Sequence, residues 1–243
     1  MYVHCAGCRL RQQPMFRQFS GPELAFVASL KSDQVELGPH EHIVHAGENG
    51  HRLYTLLSGW AFRYKTLANG RRQILDFLLP GSLVGLQSPL TGHVAHSVCT
   101  ITAATFCVLD GAPFTSVFRH QPELTASLMA MLVREQERAD TRLLLLGRQR
   151  PTERLAYLLL ELRWRLDRLG AMAEERCEFP LTYEMMADAA GMSRSQLAHS
   201  LSELRELGWA SVEHGLLCFY DVQKMADASG YTAPQSDSAQ AIL

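Results

Sequence analysis

Thr182-Tyr183-Glu184-Met185-Met186-Ala187-Asp188-Ala189-Ala190-Gly191-Met192-Ser193-Arg194-Ser195-Gln196, running on to Leu207 and Gly208, decides how the chain is read. Thr182 is placed to cap a first helix, since its hydroxyl can accept a backbone N–H of the opening turn. Gly191-Met192 follows as a turn. Ser193 then caps a second helix, Arg194 to Leu207, and Gly208 stops it because glycine takes up the left-handed conformation that ends helices. Two helices joined by a short glycine-containing turn form a helix-turn-helix. Ala187, Ala190 and Met192 face Leu197, Leu201 and Leu204, small and apolar residues that allow the helices to cross closely. Beyond them, Trp209 to Val212 and Leu216 to Phe219, joined at His214-Gly215, read as a two-stranded wing, and the residues from Tyr231 on are polar.

Upstream, Pro151-Thr152-Glu153 opens a helix to about Leu169, and a short strand is expected at Cys177 to Phe179. Gly147 to Pro151 breaks it from a longer helix that starts at Pro122-Glu123 and runs to Leu146, with proline in the first turn where it is tolerated. That helix is roughly 25 residues, about 38 Å at 1.5 Å per residue. Leu128, Leu132, Ala139, Leu143 and Leu146 fall on one stripe interrupted by Glu135 and Gln136, a narrow seam of coiled-coil character. From Ser20 to Asp110 the pattern changes to short β-type segments: Leu53 to Leu57, Trp60 to Tyr64 and Gln73 to Phe77, separated by Ser58-Gly59 and Asn69-Gly70. Asn-Gly is a strong hairpin signal because both residues tolerate positive φ. Such regular short strands predict a small antiparallel sandwich or barrel of jelly-roll type, able to enclose a pocket.

The 243 residues are 20% charged and 47% hydrophobic, with a formal net charge of −2, which excludes intrinsic disorder. Phe77 to Leu109 lacks Asp, Glu, Lys and Arg, but Pro80, Gly81, Gln87, Pro89 and His93 interrupt it, so it reads as strands and turns, not a membrane span. The N-terminus has no basic region followed by an apolar run, so the expected compartment is the cytoplasm. Six cysteines, at 5, 8, 99, 107, 177 and 218, are too sparse for a disulfide scaffold and are expected as thiols. Overall charge gives no hint of nucleic acid. From Arg148 to Gly230 ten Lys and Arg face thirteen Asp and Glu, so DNA binding must rely on a local patch such as Arg148, Arg150, Arg194 and the second helix's N-terminus.

Gly47-Glu48, Leu53-Tyr54, Ser58-Gly59, Gly70, Gln73, Phe77, Pro80-Gly81 and Gly85, then the long helix, then Ala187 to Leu204, together resemble the cyclic-AMP receptor protein and FNR (Crp/Fnr) family of transcription regulators, in the family's order and over nearly the whole chain. Pro151-Thr152-Glu153-Arg154-Leu155-Ala156 and Cys5-Ala6-Gly7-Cys8 point to the FNR side. The resemblance implies an α+β protein: an N-terminal Cys-containing segment (1–19), a cyclic-nucleotide-binding-like jelly-roll β-barrel (20–120), a dimerisation helix (121–147), a winged helix-turn-helix domain (148–230) and a tail (231–243). It also implies a homodimer joined along Leu128, Leu132, Ala139, Leu143 and Leu146, binding to palindromic double-stranded DNA, and RNA polymerase as a partner. Ser193, Arg194, Ser195, Gln196 and His199 would face base edges, Arg194 reading guanine and Gln196 adenine, at roughly 1–3 kcal/mol of discrimination each. Where the family usually places a cytosine-reading glutamate and a second arginine, this chain has Ser195 and His199, so its target need not be the usual half-site.

Cyclic-AMP-binding members carry a glutamate for the ribose and an Arg-Ser pair for the phosphate, where this chain has Gly85-Leu86-Gln87 and His96-Ser97. With no permanent cation in those stretches, cyclic AMP is not expected. The resemblance offers an iron–sulfur cluster instead, on Cys5, Cys8 and Cys107, although the family's third N-terminal cysteine is replaced by Pro14 and the fourth ligand would have to be Cys99, His4 or a non-protein group. Response to redox or oxygen, or to an unknown small effector, is expected; haem sensing on one of ten histidines or sensing of another small molecule, a sensor that has lost DNA binding, and a cupin-like metal enzyme built on His40-Glu41-His42 and Glu48 are the alternatives. The cupin reading lacks a second histidine near Pro80-Gly81.

Overall fold

The computed structural model describes residues 4–13, 15–110 and 116–234. The chain divides into two compact units, whose described parts lie within 4–65 and 75–136 for the first, and within 66–74 and 137–234 for the second. No helix among the described residues is long and apolar enough to cross a membrane.

After two short 3₁₀ turns, Cys5–Gly7 and Leu10–Gln12, the first unit continues with α1 (Gly21–Leu30), started by a capping box in which Ser20 and Glu23 satisfy each other's backbone N–H groups. Eight strands follow: β1 (Lys31–Leu37), β2 (His42–Val44), β3 (Arg52–Ser58), β4 (Ala61–Thr66), β5 (Arg72–Leu78), β6 (Leu83–Val84), β7 (Ser97–Thr100) and β8 (Ala104–Asp110), with α2 (Ser88–Thr91) between β6 and β7. They form two four-stranded sheets, in the orders β1-β8-β3-β6 and β2-β7-β4-β5. The expected β-barrel is therefore corrected: these are two open sheets, each with its own pair of edges, stacked face to face. Alternation reports that one face of a strand is buried, which a sandwich and a barrel share; closure requires edge pairing, and β6 and β2 at the edges have two and three residues. Leu56, Val84, Ala104 and Phe106 from one sheet meet Val44, Ala61, Leu78 and Val98 from the other in a single apolar layer. Gly59, at φ +86°, makes the turn between β3 and β4, and a Cβ there would lie 2.3 Å from the Ala103 carbonyl oxygen.

The outer face of the first sheet carries a second apolar layer. Val27 and Leu30 of α1, Leu53, Cys107 and Leu109 of the sheet, Val117 of α3 (Val117–His120) and Leu124, Leu128 and Met131 of α4 (Pro122–Arg148) pack together there.

The second unit is built on α5 (Pro151–Arg168), whose Leu155, Ala156, Leu159 and Leu162 are fully or almost fully buried. α6 (Tyr183–Ala190), α7 (Arg194–Glu206) and α8 (Val222–Ser229) accompany it, with β9 (Arg176–Glu178), β10 (Ala210–Glu213) and β11 (Leu216–Phe219) in one antiparallel sheet of order β10-β11-β9. The strand at Cys177 thus completes the wing as a third member.

Candidate nucleic-acid interface and sensory pocket

The helix-turn-helix begins as its sequence predicts. Thr182 accepts the Met185 N–H, Gly191 closes α6 at φ +60°, and Ser193 accepts the Gln196 N–H to start α7. A side chain at Gly191 is strained by its left-handed backbone, and an added Cβ would also push aside the exposed Leu146 side chain, whose Cδ2 would lie 2.4 Å away.

Two residues of the Pro151-Thr152-Glu153-Arg154 run lock this motif in place. Thr152 Oγ1 is hydrogen-bonded to Ser200 Oγ at 3.1 Å and donates to the Glu203 carboxylate, tying α5 to the buried side of α7. Arg154 reaches the end of α6: Nε donates to the Ala190 carbonyl at 3.0 Å and Nη2 to Gly191 at 3.3 Å, while Nη1 donates to Gln149 at 3.0 Å. Those carbonyls at the helix C-terminus would otherwise lack partners.

The side chains expected to meet DNA all lie on the exposed side of α7, at or near its N-terminus, but four of them, Ser193, Arg194, Ser195 and Gln196, are already engaged. Gln196 Oε1 accepts the Ser193 N–H at 2.9 Å as the second half of a capping box, so an adenine contact using that oxygen requires the box to open. Ser195 Oγ is 3.0 Å from Ser193 Oγ. Arg194 pairs with Glu184 of α6 at 2.9 Å, both exposed. His199 is exposed on the next turn. The Ser-x-x-Gln spacing signals this capping box in the sequence; Glu184 carries no such signal, because its relation to Arg194 exists only once the two helices cross. In the basic patch, Arg148 is exposed and Arg150 pairs with Glu153 at 2.8 Å.

On α4 the expected seam divides. Leu128 is 2% exposed and belongs to the apolar layer of its own unit, where Val27 and Leu30 of α1 and Leu53 and Leu109 of the first sheet cover it. Leu132 is half-buried, while Ala139, Leu143 and Leu146 are exposed, and Met129, Val133 and Leu144 join them.

A cavity of about 20 Å³ lies in the first unit, lined by Arg63, Leu83, Leu86, Gln87, His96 and Glu135 among others. That is room for about one water and far too little for a nucleotide. Arg63 of β4 is a cation the sequence reading missed, since it counted only residues near Gln87 and His96. Its Nη1 donates to Glu135 of α4 at 3.2 Å, and its buried Nε has no hydrogen-bond partner among the described residues. His96, 6% exposed, has its pKa pushed down to about 4, by burial first and then by Arg63 and Lys65, so it is neutral at physiological pH.

The iron–sulfur expectation is corrected. Among the described residues no group of three His, Cys, Asp or Glu is arranged to hold a metal ion. Cys5 starts a 3₁₀ turn, Cys5–Gly7, Cys8 ends it, and Cys107 lies in β8 among Val27, Leu30, Leu53 and Leu109. Burial pushes the Cys107 thiol up to about 11, the reverse of what a thiolate ligand needs. Cys99, considered as a fourth ligand, is buried in β7 with its thiol against the Thr100 carbonyl, and Pro14 lies outside the described residues. The cupin-like set is likewise not gathered: His42 Nε2 meets Tyr64 Oη at 2.9 Å, Glu41 accepts from the Gly38 N–H and Glu48 from the His45 N–H.

Comparison with known proteins agrees with this architecture. Residues 34–121 match the cyclic nucleotide-binding domain and residues 153–228 the Crp-like helix-turn-helix domain. The nitrogen fixation regulation protein FixK of Bradyrhizobium diazoefficiens is 28% identical over 217 residues, 89% of this chain and 90% of that one. The transcriptional activator protein FnrL of Cereibacter sphaeroides is 27% identical over 86% of this chain and 84% of its own. The structure of FixK2 from Bradyrhizobium japonicum superposes with a TM-score of 0.74 at 23% identity, covering 83% of this chain and 98% of that one, a likeness of fold. The chain belongs to the Crp/Fnr family of transcriptional regulators, on its FNR-like side.

Proposed function

We propose that this regulator is a cytoplasmic homodimer that binds a palindromic DNA site through α7, adjusts that binding to redox or oxygen state, and acts with RNA polymerase. The observation that carries the reading is the N-terminal half of α7, which holds Arg194, Ser195 and His199 outward on a scaffold fixed by Thr152 and Arg154. Helix N-termini also attract phosphates, which compensates for the acidic balance of residues 148–230. Pairing along α4 is supported by the exposed Met129, Val133, Leu143 and Leu144, an apolar strip that a lone chain would leave in water. The 20–120, 121–147 and 148–230 segments then serve as sensor, dimer helix and DNA reader.

Redox control is supported by relatives named for anaerobic regulation, such as the anaerobic regulatory protein of Pasteurella multocida, 22% identical over 95% of this chain and 84% of its own. Cyclic AMP does not fit this reading, given the small cavity in which Glu135 already neutralises Arg63. Selection from random oligonucleotides tests the core of the proposal. Two half-sites about 34 Å apart, one helical turn, are expected. Recovery of a single unpaired site, or of no preferred sequence, would overturn it.

A further inference from the structure

Cys5 and Cys8 take no part in DNA recognition or chain pairing as read above. They stand at the two ends of a single 3₁₀ turn, closed by the Cys8 N–H donating to the Cys5 carbonyl at 3.3 Å. Residues i and i+3 eclipse in such a turn, about 6 Å apart at about 2.0 Å of rise per residue. A disulfide spans Cα separations of roughly 4.4–6.8 Å, so the backbone already holds the pair within bonding range. Ala6 and Gly7 between them are small and exposed. Cys5 is half-buried and Cys8 is 9% exposed, one sulfur within reach of solvent and one sheltered behind it.

The other thiols are poorly placed for the same chemistry. Cys107 is buried mid-strand, and its raised pKa of about 11 keeps it protonated at neutral pH. Cys99 is buried with its thiol against the Thr100 carbonyl at 3.6 Å. Cys177 sits opposite Leu217 and Cys218 opposite Arg176, so their side chains leave opposite faces of the β9–β11 pair. Arg11, on the 3₁₀ turn that follows, is close enough to Cys5, Cys8 and Cys107 to feel the charge of each, and its buried Nη1 has no hydrogen-bond partner among the described residues. A cation stacked on the Phe19 ring at 4.4 Å, with one nitrogen still unsatisfied among the described residues, therefore stands where thiolate charge develops during exchange.

We propose that Cys5 and Cys8 form a reversible disulfide, making this turn a thiol redox site; the inference rests on the redox reading above and names its input. With a small disulfide such as oxidised glutathione as the oxidant, the Cys5 thiolate attacks one of its sulfurs, forming a mixed disulfide and releasing one glutathione. Cys8 then attacks Cys5 Sγ and releases the second. Two protein thiols are oxidised, one small disulfide is reduced to two thiols, and those two thiols carry away both protons.

The test uses the full-length reduced protein, equilibrated with graded ratios of reduced to oxidised glutathione, trapped with an alkylating agent and mapped by peptide mass. The peptide holding Cys5 and Cys8 is expected to lose two hydrogens, escape alkylation and recover both properties with dithiothreitol. Cys8→Ser should instead accumulate glutathione on Cys5. Alkylation of both cysteines at every ratio, or a bond from either to Cys107, would overturn the proposal. DNA binding of the wild type and of the doubly substituted Cys5→Ser, Cys8→Ser protein in the same buffers separates this site from the wider reading. Redox-dependent binding that survives in the double variant overturns the site and spares redox control; a disulfide that forms without any change in wild-type DNA binding confirms the bond and removes redox control.

Discussion

Arg194 Nη2 stands 2.9 Å from Glu184 Oε2, so the first basic side chain of the recognition helix is already paired with the opening turn of α6. Both side chains are largely exposed, and such a pair contributes about 0–1 kcal/mol to stability. In the proposed reading, DNA competes with Glu184 for the guanidinium. Glu184→Gln is expected to leave the melting temperature within error and to tighten binding to the selected site by up to about fivefold, the equivalent of that pair energy. Arg194→Ala should lose about 1–3 kcal/mol of discrimination at one guanine per half-site, measured by titrating the selected site against its single-base variants. A loss shared equally by all sequences would mark Arg194 as a phosphate contact.

Leu143→Asp is expected to give a monomer in sedimentation and to abolish palindrome binding in the same variant, since the side chain is 72% exposed and buries no partner within its own chain. Leu128→Ala, about four turns upstream on the same helix, should act differently. Buried at 2% exposure, it is expected to cost about 2–5 kcal/mol of unfolding free energy by denaturant titration, through lost packing.

That contrast shows where sequence reading reaches its limit. The caps at Thr182 and Ser193, the stop at Gly191 and the proline starts of α4 and α5 are local, so the helix-turn-helix was legible residue by residue. Which side of α4 faces inward depends on what packs there, and a stripe containing both Leu128 and Leu132 looks continuous until α1 and the first sheet cover one of them. Sheet closure was hidden for a similar reason, because alternation reports a buried face and is silent about edges. Arg63 and Glu135 are 72 residues apart, and no motif joins them. Cys5, Cys8 and Cys107 matched a ligand pattern in spacing, yet the environment of Cys107 is an apolar layer.

His96 makes stability depend on pH. Its folded pKa, about 4, lies below the ordinary value of 6.5, so the unfolded chain takes up the proton first as pH falls. Its contribution is complete above pH 6.5, declines between 6.5 and 4, and is fully lost below about 4, with a total on the order of 3 kcal/mol. His96→Gln should flatten the melting-temperature profile in that interval relative to the wild type; identical slopes for the two proteins would show that His96 titrates normally.

Thr152→Val removes a hydroxyl without changing size and leaves Ser200 and Glu203 without that partner. The expected cost is about 1–3 kcal/mol in thermal or chemical unfolding. Thr152→Ser, which keeps the hydroxyl, should recover most of it.

The bonds made by Thr152 and Arg154 also set the grain of the molecule's motion. With one residue of α5 pinned to α7 and another pinned to the end of α6, none of the three helices can slide past another without exposing unpaired polar groups. Amide hydrogens along α5, α6 and α7 should exchange with a common opening energy, as a single cooperative foldon. Any signal that alters promoter choice then has to carry this triplet as one piece, since the pitch of the reading helix against its neighbours is not a free variable.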